Sequence, residues 1–291
     1  MDFDEYQDTA ALTDQFRTKH EESDLMIPLL GLAGETGTLL SEFKKKIRDR
    51  ESYEGFNDRA EEELGDILWY VSNIASRLDL SLSTIASKNL QKTSERWPTG
   101  AESHEIFRSL DDVYPPSEQL PKRIRIRVHE HESGKRARML LEDGTPLGDP
   151  LTDNAYQDDG YRFHDVLHFG HYVVLGWSPV IRSLLKRKRK SAPKTDEVED
   201  GARAMILEEL IVAYIYSNAR ERKYYADVKH VDTELLATVK RLVAHLEVNV
   251  RRGKDWEDAI LMGYAAFRHM IDVRDATFEL DMESRQIRIL K

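Results

Sequence analysis

Between Asp24 and Asp66 the chain sets five carboxylates, Glu35, Glu42, Glu62, Glu63 and Asp66, among residues that repeat with the period of an apolar helix face. Leu32, Leu39 and Leu40 precede a short polar break, and Leu64, Ile67 and Leu68 follow it. An ionised carboxylate removed from water without a partner is costly, so a soluble helix turns its acids to solvent. Acids inside apolar helices therefore constrain the fold: the helices must pack so that these groups reach water or share a cation. Residues three, four and seven apart lie on one helix face. Glu35, Thr38 and Glu42 thus line one stripe, and Glu62 or Glu63 with Asp66 line another. If the two helices run antiparallel, three to five carboxylates converge, and without neutralisation some would be forced to hold protons. A hard divalent cation removes that repulsion. An all-oxygen set in a chain without cysteine points to Mg2+, with Mn2+ as a substitute, over zinc.

Periodicity places this stretch in a set of helices. Phe3, Tyr6, Ala10, Thr13 and Phe16 predict a first helix to Lys19. A second runs from Asp24 to Arg50 with Pro28 in its first turn, and a third starts at Asn57 or Asp58 and reaches Leu78. A fourth, capped by Ser81 or Ser83, ends near Trp97, where Pro98-Thr99-Gly100 stops it. Gly31, Gly34 and Gly37 on the second helix allow either close helix packing or room for a ligand beside the backbone. Trp69 and Tyr70 fit the core of the third helix, and Trp69 could also stack on a base.

With 291 residues, two domains are expected. The fold class is mainly α, with a helical bundle domain over residues 1–100, a polar linker over 101–121 and a C-terminal α+β domain over 122–291. In the last of these, RIRIRVHEHE from Arg123 alternates as a half-buried strand does, Ser133-Gly134 offers a turn to a partner strand, and residues 277–290 suit another hairpin. Helices are expected over 163–188, 199–221, 233–251 and 255–272. RAEEELGDILWYVSNIASR from Arg59 can be laid beside RAMILEELIVAYIYSNARER from Arg203, which matches Glu62-Glu63 with Glu208-Glu209 but Asp66 with Val212. The second half would then be a degenerate echo of the first.

With 43 Lys+Arg against 53 Asp+Glu the net charge is -10, which disfavours nucleic acid as a partner of the whole molecule. The absence of Cys excludes disulfides, thiolate metal sites and cysteine nucleophiles. MDFDEYQDTA has the form of neither a signal peptide nor a transit peptide, and no apolar run is long enough to span a bilayer. A cytoplasmic protein without a membrane segment is the expectation.

A few-carboxylate Mg2+ site keeps positions open for water and for substrate phosphates. A carboxylate beside it, Glu42 or Glu62, could then serve as general base. On the fourth helix Asn89, Lys92 and Arg96 share a face and offer an amide and two positive charges. Lys44, Lys45, Lys46 and Arg48 could neutralise the far end of a polyphosphate, or form a solvated helix end.

GLAGETGTLLSEFKKKIRD, EELGDILWYV and NLQKTSERWP, in this order and spacing, resemble the MazG-like all-α nucleoside triphosphate pyrophosphohydrolases. The resemblance implies Mg2+-dependent cleavage between the α and β phosphates of a nucleoside triphosphate, with release of a nucleoside monophosphate and pyrophosphate. It assigns Glu35, Glu63 and Asp66 as metal ligands and matches Asn89, Lys92 and Arg96 to the family's closing helix as substrate contacts; the residues themselves add Glu35 with Glu42 or Glu62 as candidate catalytic carboxylates and Lys45 as a candidate substrate contact. It also implies a homo-oligomer, because such small helical enzymes complete their sites by association. The sequence departs from the family pattern at Thr38, where a second Glu is usual. A degraded site that binds nucleotides without turning them over is the alternative.

The C-terminal half carries its own candidate cluster. His164, Asp165, His168 and His171 fall close together on an expected helix, with His164 and His168 at i, i+4 and His168 and His171 at i, i+3. With Glu208 or Glu209 they could form a second metal site and a second hydrolytic centre, or they could hydrogen-bond acids and backbone in a packed interface. LLKRKRK, from Leu184, suits a solvated helix end or a grip on polyphosphate or nucleic acid.

Overall fold

A computed structural model describes residues 1–15, 23–97, 109–131 and 134–290. They fall in two compact units, Met1–Ser94 and Glu95–Lys291. The end of the first predicted helix at Lys19, the stop at Pro98-Thr99-Gly100, the first part of the expected linker and Ser133 lie outside the described residues.

The first unit is built from α1 (Phe3–Leu12), α2 (Ser23–Asp49), α3 (Phe56–Arg77) and α4 (Leu82–Arg96). Asp2 starts α1 by accepting from Glu5 N at 2.9 Å, and Glu5 accepts from Asp2 N at 3.1 Å. This reciprocal cap satisfies two donors that the first turn leaves free. Contacts show that α2 and α3 run antiparallel, since residue numbers fall on one as they rise on the other: Gly31 meets Tyr70, Glu42 pairs with Arg59, and Phe43 packs on Phe56. A Cβ on Gly31 would lie 2.2 Å from the Tyr70 ring, so close packing is the reason for that glycine. Gly34 and Gly37 instead face open space. Trp69 Nε1 donates to Thr13 Oγ1 at 2.8 Å, which ties α3 to the segment after α1 and gives the indole a packing role.

The second unit carries β1 (Arg123–Glu130), β2 (Ala137–Leu141), β3 (Asp275–Asp281) and β4 (Gln286–Leu290), joined as one antiparallel sheet in the order β2-β1-β3-β4. Along β1 the alternation is realised: Ile126 and Val128 are buried and Arg123, Arg125 and Arg127 are exposed. These arginines pair with Asp281 at 2.7 Å, Glu279 at 3.0 Å and Asp275 at 2.7 Å on β3. Opposite charges across neighbouring strands therefore reinforce a register in which Ile126 faces Phe278.

Between the hairpins lie α5 (Leu167–Gly170), α6 (Pro179–Leu184), α7 (Pro193–Val198), α8 (Ala202–Arg220), α9 (Thr233–Leu242) and α10 (Gly253–Val273). The single helix expected over 163–188 is not formed. Residues Tyr161–Val166 wind as a 3-10 helix, α5 is α-helical, and His171–Leu175 open into a π turn. Gly176, at φ 63°, ends the run, and Ser178 caps α6 with Pro179 in its first turn. That glycine and that Ser-Pro pair are stop and start signals that outweigh the apolar periodicity across them. α5 crosses α10 at very close range: a Cβ on Gly170 would lie 2.0 Å from the Ala259 carbonyl oxygen.

Residues 109–121, expected as linker, are part of this unit. Asp111 is buried and accepts from Arg182 Nη2 at 2.6 Å and from Leu120 N at 2.8 Å. The basic run also departs from both of its expected roles at Arg189, which is 1% exposed and bound by Asp200 at 2.7 Å and Glu247 at 2.6 Å. A guanidinium so buried holds its proton because the two carboxylates offset the desolvation that opposes it.

Candidate functional site

The antiparallel pairing of α2 and α3 brings Glu35 beside Glu63, with Asp66 and Glu62 near enough to act on Glu63 through their charge. Burial first, and then the hydrogen bond and charge of Glu35, push the Glu63 carboxyl above its ordinary range. One oxygen of that carboxyl, Oε2, is buried and lacks a hydrogen-bond partner. Tyr6 of α1 also approaches, since burial and the Asp66 charge both raise its phenol. Periodicity marks Tyr6 only as an apolar position, and no spacing rule makes it a neighbour of the acids. A partnerless buried oxygen inside a cluster of carboxylates fits a divalent oxygen-liganded cation.

The other candidate residues of this unit divide. Glu42 is buried, and its carboxylate accepts from Lys45 at 2.5 Å, from the Tyr53 hydroxyl, and lies 3.5 Å from Arg59. The Lys45 hydrogen bond and the neighbouring cations hold its carboxyl low despite burial. Such a group is a poor proton acceptor, so the base role expected of Glu42 gives way to a structural one that ties the end of α2 to the loop and to α3. Lys45 is spent on the same contact. Thr38 is exposed, and its hydroxyl donates back to Gly34 O of its own helix at 3.3 Å. Glu62 is exposed beside Glu63. Asn89 and Lys92 are exposed on α4, and no hydrogen bond among the described residues joins them to the acids. The side chain of Arg96 lies outside the described residues.

The second unit holds a tighter cluster. His164, Asp165, His168 and Glu209 each present one potential ligand atom, all within 4.8 Å of one another, and His168, His171 and Glu208 do the same. Among the described residues, the acids of the first unit do not bring three ligand atoms within 4.8 Å of one another. The 3-10, α and π turns in succession put His164, His168 and His171 on the side that faces α8, where Glu208 and Glu209 are adjacent. Glu208 Oε1 lies 2.9 Å from His168 Nδ1 and 3.0 Å from His171 Nδ1. Its Oε2 accepts from Ser178 Oγ at 3.1 Å and Val180 N at 2.9 Å. Burial opposes a charge on either partner, but the attraction prevails: His168 titrates well above the ordinary histidine range, and Glu208 is held down at about 2. Tyr161, which sequence reasoning passed over, stacks on His164 at 4.2 Å between centroids and accepts from its ring through the backbone. The first residue of YRFHD was the available signal, an aromatic one turn before a candidate ligand.

Two family descriptions match this chain: the MazG nucleotide pyrophosphohydrolase domain over residues 27–101 and the MazG C-terminal domain over residues 105–291. The chain belongs to the MazG family, with the acid-bearing helices in the pyrophosphohydrolase domain and the histidine cluster in the C-terminal one. A protein of Mycobacterium phage L5, named Gene 37 protein, is 38% identical over 73 residues, which cover 24% of this chain and 64% of that relative. The chain thus spans just under two thirds of its length. No solved structure matches the chain. No helix among the described residues is long and apolar enough to cross a membrane.

Proposed function

We propose that the first unit is a Mg2+-dependent nucleoside triphosphate pyrophosphohydrolase that consumes one water, breaks the bond between the α and β phosphates, and releases a nucleoside monophosphate and pyrophosphate. The observation that carries it is the Glu63 oxygen left without a partner against Glu35, in a domain of the pyrophosphohydrolase family. Glu35, Glu63 and Asp66 would hold the cation, with Mn2+ as a substitute. When bound, such a cation screens the phosphate charge and acidifies water. The residues around it do the rest. Glu62, exposed next to Glu63, is positioned to take a proton from water, a role that Glu42 cannot fill because its oxygens are occupied. Gly34 and Gly37 leave the flank of Glu35 open for substrate. Asn89, Lys92 and Arg96 are the candidate phosphate and sugar contacts. The substrate source in this reading is the nucleotide pool of the cell interior.

Replacing Glu63 or Asp66 by Ala should lower pyrophosphate release roughly 100-fold or more, since even an indirect partner of a metal ligand is worth 10- to 100-fold. The far-UV circular dichroism should not change. Turnover at the wild-type rate in a well-folded variant would remove the assignment. Thr38, bonded to its own helix, favours a second reading in which the site binds nucleotides without cleaving them. Saturable binding with no product from any of a panel of triphosphates would select that one.

The same unit exposes Leu30, Leu40, Ile47, Leu64 and Leu90, each more than half accessible. Apolar surface on this scale suits a homo-oligomer.

A further inference from the structure

We propose that His164, Asp165, His168 and Glu209 form a second metal site in the C-terminal unit, one that takes a divalent transition metal of the zinc, iron(II) or manganese class. It is separate from the acids of the pyrophosphohydrolase domain and does not depend on the reading given for them.

The donor atoms already face one another. His164 Nε2 lies 3.5 Å from Asp165 Oδ1 and 3.7 Å from Glu209 Oε2, and His168 Nε2 lies 3.5 Å from Glu209 Oε1. These separations are too long for good hydrogen bonds and suit ligands arranged around a common ion. His168 is fully buried, its Nδ1 faces Glu208 at 2.9 Å, and its Nε2 makes no aligned hydrogen bond. A buried imidazole in that state is costly unless something else occupies its nitrogen.

The surrounding groups fix which nitrogen is free. The Tyr161 carbonyl lies 2.8 Å from His164 Nδ1, so that nitrogen carries the proton and Nε2 keeps its lone pair. Glu208, 2.9 Å from His168 Nδ1, likewise keeps a proton on that nitrogen, and an ion at Nε2 would take the place of the proton there. The carboxylate of Glu208 is in turn held by Ser178 Oγ, Val180 N and His171 Nδ1. Carboxylate or carbonyl behind imidazole, with the far nitrogen turned inward, is the arrangement that orients histidine as a metal ligand.

This assignment also decides between the two overlapping clusters. In the deeper one, His171 and Glu208 satisfy each other and every member is buried, so it serves as support. The shallower one includes Glu209, whose side chain is 42% exposed, and so has an edge through which an ion can enter. Two imidazoles with two carboxylates select a borderline transition metal over Mg2+ or Ca2+, which prefer oxygen alone.

The test uses the full chain, stripped with chelator and titrated with Co2+ as a coloured probe and with Zn2+ by calorimetry. Visible d–d absorption should appear at one equivalent for this site. It should disappear in Glu209→Gln and His164→Gln and persist in Glu63→Ala. Glu208→Gln should weaken Zn2+ binding about 10- to 100-fold while leaving the ligands in place. Because Glu209 is partly exposed, its Gln variant is expected to fold, and circular dichroism verifies that it does. Co2+ and Zn2+ binding unchanged in a folded Glu209→Gln variant, or binding lost in Glu63→Ala, would overturn the proposal, as would a wild-type chain that shows neither absorption nor heat.

Discussion

Arg189 and Glu42 carry the same lesson with opposite signs of charge. Each sits in a sequence context that reads as solvated or catalytic, and each is buried in ion pairs that draw a partner from another segment, Glu247 for Arg189 and Arg59 for Glu42. Charge and spacing along a helix do not reveal such partners. Removing one member of a buried pair leaves the others uncompensated, so Arg189→Met should destabilise the second unit by about 3–5 kcal/mol. Denaturant titration with a probe in that unit measures it, and a loss below about 1 kcal/mol would show that water compensates the acids. Asp281 makes a pH-dependent counterpart. Hydrogen bonding from Ser284, the bond to Arg123 and its charge hold its carboxyl at about 2 against an ordinary value of 3.8. Because the folded value lies below the unfolded one, the stability it contributes is complete above pH 3.8 and is lost as pH falls towards 2. Thermal melts of the wild type should therefore drop over that interval. Asp281→Asn should be less stable at neutral pH and should show a shallower acid dependence; parallel curves for the two proteins would contradict this. At the same scale Glu35 and Glu63 were legible because their helix positions put them on facing stripes, whereas Tyr6 and Tyr161 became neighbours of the sites only through tertiary packing.

At the scale of elements, the strands of the second unit were the clearest feature in the sequence, since an alternation as regular as RIRIRV has one structural meaning. Their pairing was not readable, because strand order joins segments from opposite ends of the unit. The helices of the first unit were also legible. The helix carrying the histidines was not, since three different pitches share one run of apolar residues and only Gly176 and Ser178-Pro179 betray the break. Helix contacts depend on small residues that a pattern leaves ambiguous. Gly170→Ala must push α5 from α10 by displacing the Ala259 carbonyl, and Gly31→Ala must displace the Tyr70 ring. Each should cost about 1–3 kcal/mol as overpacking does. Gly34→Ala, which meets nothing within 4 Å, should leave stability unchanged or raise it. Equal effects at Gly31 and Gly34 in chemical denaturation would refute the distinction between packed and open glycines.

At the scale of the molecule, two compact units each carry a separate constellation of ionisable side chains. Composition and length indicated two domains but not that the second would have the larger polar network. An oligomer built through the exposed leucines of the first unit should be sensitive to charge there. Leu40→Asp should reduce the mass seen in sedimentation and should leave Co2+ absorption from the histidine cluster unaffected. A monomeric wild-type chain at micromolar concentration would dismiss the oligomer.

The stretch from Tyr161 to Leu175 changes its winding twice while delivering three imidazoles to one side. A residue inserted or removed within it would turn everything downstream by about 100° about the local axis. His171 would then swing away from Glu208 while His164 stayed in place. Lengthening should therefore be tolerated in the Asp- and Gly-rich loop before Tyr161 and rejected within this stretch. In naturally diverging or randomly shuffled copies, the histidine ladder should behave as a block of invariant length even where its residues vary.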